Sequence, residues 1–187
     1  MEHSIRSNEV YSVSKELLSA FPFALTFHLR NQHAKERLLP HLSITAERFN
    51  YEENIPNQII STLYQQMQKL RDNNEITDTQ LLIIDSDLRM LNEVAGACER
   101  IRNTPIPYSY SAFIKKFIFF YVMTMPIAFV FQMGYYIIPV AVFVLYVLAS
   151  LEILAEEIEN PFGTDANDLP LDAISKTIHK SVFQIMD

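Results

Sequence analysis

Charge is missing where this chain is most apolar: from Phe117 to Leu151 there is no Asp, Glu, Lys or Arg. That excludes an ordinary water-facing surface for roughly 35 residues, a length that fits two short bilayer crossings. Gln132-Met133-Gly134 breaks the run near its middle and reads as a tight turn. Cysteine is nearly absent as well. Cys98 stands alone, so no disulfide can form within the chain, and a reducing, cytosolic setting suits that region. Only three glycines are present, and alternating apolar patterns are scarce, which argues against strands and for an all-α chain. The opening Met1-Glu2-His3-Ser4-Ile5-Arg6 lacks a basic segment followed by an apolar core, so no cleavable signal peptide is expected. No Gly-rich phosphate loop, nucleophile elbow or CxxC pair occurs, and His28, His33 and His41 lack the i, i+4 spacing of a helical zinc site. His179 has no evident partner, and Cys98 falls on an apolar helical stripe, where packing is its expected role. These gaps argue against an enzyme. A net charge of −7 argues against general attraction to nucleic acid or anionic lipid.

What remains is helical patterning. A mean hydropathy of +0.07 hides a polar first half and an apolar second half. Asn8 to Arg30 carries Val10, Val13, Leu17, Leu18, Phe21, Leu25 and Leu29 at helical spacing, with Pro22 expected to kink or split the helix. Asn31 to Asn54 is polar, contains Pro40 and reads as loop with short helical turns at most. Pro56 suits a first helical position ahead of Ile59, Ile60, Leu63, Tyr64, Met67 and Leu70, and Asp72-Asn73-Asn74 ends that helix. Thr77-Asp78-Thr79-Gln80 has the form of a capping box. It opens a helix whose stripe of Leu81, Ile84, Leu88, Leu91, Ala95 and Cys98 faces either another helix of this chain or a neighbouring subunit.

Crossings are expected from about Phe113 to Phe131 and from about Tyr135 to Ala155, with Pro126 and Pro139 tolerated inside them. Arg100, Arg102, Lys115 and Lys116 precede the hairpin, and its turn has neither Lys nor Arg. The positive-inside rule therefore puts both flanks in the cytoplasm. The expected organisation is a cytosolic helical region over 1–105, elbow and transmembrane hairpin over 106–155, and an acidic turn with a C-terminal helix over 156–187. After the second crossing, the acidic stretch from Glu152 to Asp172 admits two readings. In the first, Asn160-Pro161 closes one helix while Asp168 or Asp172 caps the next. Alternatively, its crowded oxygen ligands hold a hard cation such as Ca²⁺, although the spacing is not that of an EF-hand.

Two segments carry a family resemblance. Glu99-Arg100-Ile101-Arg102-Asn103-Thr104-Pro105-Ile106-Pro107-Tyr108-Ser109-Tyr110 resembles the approach to the third transmembrane helix of prokaryotic bestrophins. Glu156-Glu157-Ile158-Glu159-Asn160-Pro161-Phe162-Gly163-Thr164-Asp165-Ala166-Asn167-Asp168-Leu169-Pro170-Leu171-Asp172 resembles that family's segment after the fourth. The resemblance implies a homopentameric ion channel of the cell (inner) membrane, conducting chloride or other monovalent ions and contacting membrane lipid. It also implies that Ile106, pinned between Pro105 and Pro107, narrows the cytosolic mouth, a hydrophobic ring if five copies converge. By the same resemblance, the calcium clasp of animal members falls on Glu157, Asn160, Asp165 and Asp168. Glu157 stands where the animal pattern has glutamine, and nothing in Met1 to Ser7 matches the clasp's N-terminal ligand.

The family's two earlier transmembrane helices, one bearing the pore neck, have no counterpart in this sequence. The expectation is therefore a chain truncated at its N-terminus that conducts poorly or not at all by itself. The alternative to a channel subunit is a membrane-anchored helical module that binds a partner, and oligomeric stoichiometry separates the two.

Overall fold

Apolar side chains on one helix recur so densely between Val13 and Phe27 that the helix needs neighbours on more than one side. The structure, a computed structural model, describes residues 2–32, 34–42, 45–104 and 107–186. That helix is α1 (Glu2–Leu29). After it come a short α2 (Ala34–Leu38), α3 (Ile55–Asp72), α4 (Asp78–Asn103), α5 (Tyr108–Met133), α6 (Ile137–Glu159) and α7 (Leu171–Ile185). Single 3-10 turns lie at Leu39–His41, Ala46–Arg48 and Gly134–Tyr136, and no strand occurs among the described residues. The chain divides into two units: Met1–Ile101 with Pro170–Asp187, and Arg102–Leu169.

In the first unit α1 is the central helix. Val13, Leu17, Ala20, Phe21 and Ala24 are buried with Ile55, Ile59, Ile60 and Leu63 of α3, and Leu38, Leu42 and Phe49 of the polar connection close the same core. Asn54 starts α3 by accepting a hydrogen bond from the Asn57 N–H at 3.1 Å, and Pro56 sits where no intrahelical donor is required. The capping box at α4 is formed: the Gln80 N–H donates to Thr77 Oγ1 at 3.3 Å, and Thr77 N–H donates to Gln80 Oε1 at 2.9 Å. Of the α4 stripe, Leu88 and Ala95 are buried in this core while Ile84 and Leu91 are partly so. The stripe therefore faces helices of its own chain. Ile83, Met90 and Val94, on other sides of α4, are exposed.

Pro22 does not split α1, which runs unbroken from Glu2 to Leu29. Packing of α7 against α1 accompanies this continuity. α7 lies along α1 at this level, where small polar residues on both helices allow close approach. Ser175 Oγ donates to the Pro22 carbonyl at 3.1 Å and lies 3.0 Å from Thr26 Oγ1. Arg30, its side chain only 8% exposed, pairs with Asp172 at 2.6 Å, and Tyr11 Oη donates to the Met186 carbonyl at 2.8 Å. Asp172 thus sits inside the first turn of α7 and reaches α1. Neither it nor Asp168 caps α7, whose N-cap is Pro170 without a side-chain bond.

His179 also has partners, contrary to the reading of the sequence. Its Nδ1 lies 3.3 Å from the Ser19 carbonyl, and its ring meets His41 edge-on at 5.2 Å between centroids. His41 stacks on Phe23 at 4.0 Å. Burial, and secondly the charge on His179, hold the His41 imidazolium below its ordinary 6.5. The unfolded chain therefore takes up a proton that the folded chain resists. Stability is full above about pH 6.5 and falls as pH drops below it, until folded His41 protonates too. Thermal unfolding between about pH 7 and pH 5 should show this decline, and His41→Gln should flatten it.

Candidate functional site

The second unit is built on the uncharged run. α5 and α6 pack as a helical hairpin joined by the turn at Gly134–Tyr136. Gly134 has φ +55°, a conformation costly for any residue with a Cβ, and it stops α5. Pro139 falls in the first turn of α6, where its missing N–H costs nothing. Pro126 lies inside α5, and the helix continues through it. Most large side chains of the pair point outward: Phe131 is 95% exposed, Tyr135 91% and Ile127 74%. The helical stretch Tyr108–Glu159 is long and apolar enough to cross a membrane. An apolar surface this extensive is not tolerated in water, whereas hydrocarbon accepts it without penalty.

Charged side chains of the hairpin are confined to the end away from the turn. Lys115 of α5 reaches Glu156 at 2.5 Å and Glu152 at 3.2 Å, both on α6. This clamp went unread in the sequence, although the signal was there: Lys115 and Glu152 stand nearly equally far from Gly134, so any hairpin through that glycine brings them together. At the same end, Pro107 precedes α5 and its carbonyl accepts from the Tyr110 N–H at 2.8 Å. Pro105 and Ile106 lie outside the described residues.

Beyond α6 the acidic segment folds on itself. α6 ends at Glu159 and Asn160 follows as its C-cap. The Leu169 N–H donates to the Pro161 carbonyl at 3.0 Å, closing the loop, and Phe162 is buried. Asp168 Oδ2 accepts from the Asp165 N–H at 2.7 Å, while Glu157 Oε2 accepts from Asn167 Nδ2 at 2.7 Å. Asn160, Asp165 and Asp168 are therefore gathered in one turn, with Glu157 tied to it through Asn167. Among the described residues, however, no three His, Cys, Asp or Glu side chains converge closely enough to hold a metal ion. Ca²⁺ takes six to eight oxygens, and here the carboxylates of Glu157 and Asp168 already accept hydrogen bonds from the loop. One oxygen of each is thereby committed to the loop's own fold.

Gly163 explains why the loop closes so tightly. A Cβ at this position would stand 2.5 Å from Asp168 Oδ2, the oxygen that receives the Asp165 N–H. Gly163→Ala is expected to displace the Asp168 carboxylate and cost about 1 kcal/mol of local stability. Faster amide exchange at Asp165 is the measurement that checks it.

Elsewhere, His28 of α1 lies 2.9 Å from Glu99, whose carboxylate also accepts from Asn54 Nδ2 at 2.7 Å. The last turns of α4, which lead toward the proline elbow, are thus tied to α1 and to the start of α3. Cys98 is partly buried, and that burial raises its thiol pKa, as expected of a packing residue rather than a nucleophile.

With this geometry in view, the sequence matches the profile of the family described as Bacterial/Fungal Bestrophin protein over residues 4–184. The voltage-dependent anion channel-forming protein YneE of Escherichia coli K12 is 32% identical over 169 residues, covering 90% of this chain and 56% of that protein. A protein of the same description from Nostoc, alr2987, is 32% identical over 183 residues, covering 97% and 59%. The crystal structure of a variant of a bacterial bestrophin homologue from Klebsiella pneumoniae superposes with a TM-score of 0.88 at 28% identity, covering 95% of this chain and 67% of that one. The chain thus spans a little over half the length of the curated relatives it matches.

Proposed function

Because this chain belongs to the bacterial and fungal bestrophin family, we propose that it is a subunit of an anion-conducting membrane channel. The observation that carries the reading is the exposed apolar hairpin α5–α6, in a chain whose relatives are described as anion channel-forming proteins. In this reading the hairpin crosses the inner membrane twice. The Lys115–Glu152–Glu156 clamp marks its cytoplasmic end, where Arg100, Arg102 and Lys116 add positive charge. Several copies, five by the family resemblance, surround a common axis and bring their proline elbows together. Ile106 of each copy then forms an apolar constriction that passing ions meet without a compensating polar ligand.

The mechanism follows from what the side chains offer. Chloride needs its hydration shell replaced or retained at a narrowing, and an isoleucine ring replaces nothing, so it acts as a barrier set by diameter and wetting. The loop of Glu157, Asn160, Asp165 and Asp168 contributes shape through its own hydrogen bonds.

The test is chloride efflux from liposomes containing the purified gene product, with Ile106→Ala beside the parent. The reading expects valinomycin-dependent chloride release to be small for this chain by itself and faster in Ile106→Ala. A monomer in detergent, where the reading expects a symmetric oligomer, or release unchanged by Ile106→Ala would remove the channel-subunit reading.

A further inference from the structure

One cavity in the helical unit is not explained by ion conduction. It opens between α1, α3 and α4, close to the end of α7, and measures about 540 Å³. Its wall is largely aliphatic, with Leu18, Leu63, Met67, Leu88 and Leu91 among its residues. Volumes of this order, with an apolar lining and a few polar groups, are typical of small-molecule sites.

Three polar side chains interrupt the wall; Tyr11 is bonded to the Met186 carbonyl, whereas Ser14 and Asp87 lack partners among the described residues. Ser14 is 7% exposed, lines the cavity, and its Oγ has no hydrogen-bond partner. A serine inside a helix ordinarily satisfies its hydroxyl on a preceding carbonyl or in water, so a buried orphan calls for an explanation. Asp87 of α4, an exposed residue, lines the same space and makes no hydrogen bond or ion pair among the described residues. Asp85, its near neighbour, is by contrast occupied by Arg89 at 2.6 Å.

We propose that this cavity binds a small molecule with an apolar body and a protonated amine. The aliphatic wall takes the body. The ammonium has three donors and no acceptor, so it can serve the Asp87 carboxylate and the Ser14 hydroxyl, both of which accept. A pure hydrocarbon would leave Ser14 unpaired, and a carboxylate ligand would meet the like charge of Asp87. The site lies within the helical unit and does not depend on the channel reading.

The experiment compares phenylbutylamine, phenylbutanol and phenylbutyrate, which differ only in head group. Each is titrated at about pH 7, where an alkylamine is charged, into the full chain in lipid nanodiscs, with empty nanodiscs subtracted. The amine should bind about tenfold or more tightly than the acid. Asp87→Asn, at an exposed position that does not endanger folding, should erase the preference, and Ser14→Ala should weaken amine and alcohol alike. Met67→Trp, which fills the space, should abolish binding. Equal affinity for the three head groups, an amine preference that survives Asp87→Asn, or binding unaffected by Met67→Trp would overturn the proposal.

Discussion

Leu17→Ala is expected to lower the stability of the helical unit by about 2–5 kcal/mol, the range for truncating a fully buried leucine. Leu17 has no exposed surface, and it belongs to the cluster that joins α1 to Ile59 and Leu63 of α3. Domains of ordinary stability hold only about 5–15 kcal/mol in reserve, so one such cavity takes a large share of it. The effect should reach beyond α1. Its other side carries the Ser175 and Thr26 contact and the Arg30–Asp172 pair, so loosening the central helix also loosens α7. Hydrogen exchange checks the claim: amides of α1, α3 and α7 should lose protection together. Leu39→Ala, at a position 43% exposed, should change little by comparison.

Val142→Arg is expected to block integration of α6 into the bilayer. Val142 is 62% exposed on the outer surface of the hairpin. Between Ile137 and Leu151, α6 has ten Ile, Val, Leu or Phe residues. On the insertion scale these supply roughly 0.3–0.6 kcal/mol each, about 3–6 kcal/mol in all, and one central arginine takes back about 2.5–3.5 kcal/mol. Pro139, Tyr146 and Ser150 reduce the favourable sum further, so the margin is thin enough for one charge to decide. The fraction that resists alkaline carbonate extraction should fall steeply in Val142→Arg and remain unchanged in Val142→Leu.

What could be read from the sequence, and what could not, divides by range. Asn54 before Pro56 and the Thr77–Gln80 box are local devices, complete within a few residues, and the structure forms both. The hairpin was legible because lipid imposes a long uncharged run, and Gly134 punctuates it. Pro22 misled because residue type alone does not say whether a helix carries on through a proline, and here α1 does so beside α7, whose Ser175 lies more than 150 residues away in sequence. His179 looked solitary for the same reason, its partners Ser19, Phe23 and His41 all lying in the first part of the chain. The acidic loop shows a different limit. Asp168 was a plausible helix cap by residue type, but Gly163 leaves room for its carboxylate to turn inward and take the Asp165 N–H. Oxygen-rich composition likewise suggested a cation, and part of that oxygen serves the turn itself, one atom each of Asp168 and Glu157 accepting a hydrogen bond within the loop.

The account rests on α5 and α6 crossing the bilayer and returning the chain to the side it left. Single cysteines placed at Tyr135 in the turn and at Thr164 in the acidic loop, each in a Cys98→Ala background, test this most directly with a membrane-impermeant maleimide on intact spheroplasts. The account predicts that position 135 is labelled from outside, and position 164 only after the membrane is opened. Equal labelling of both positions in intact spheroplasts, or protection of both, would contradict it.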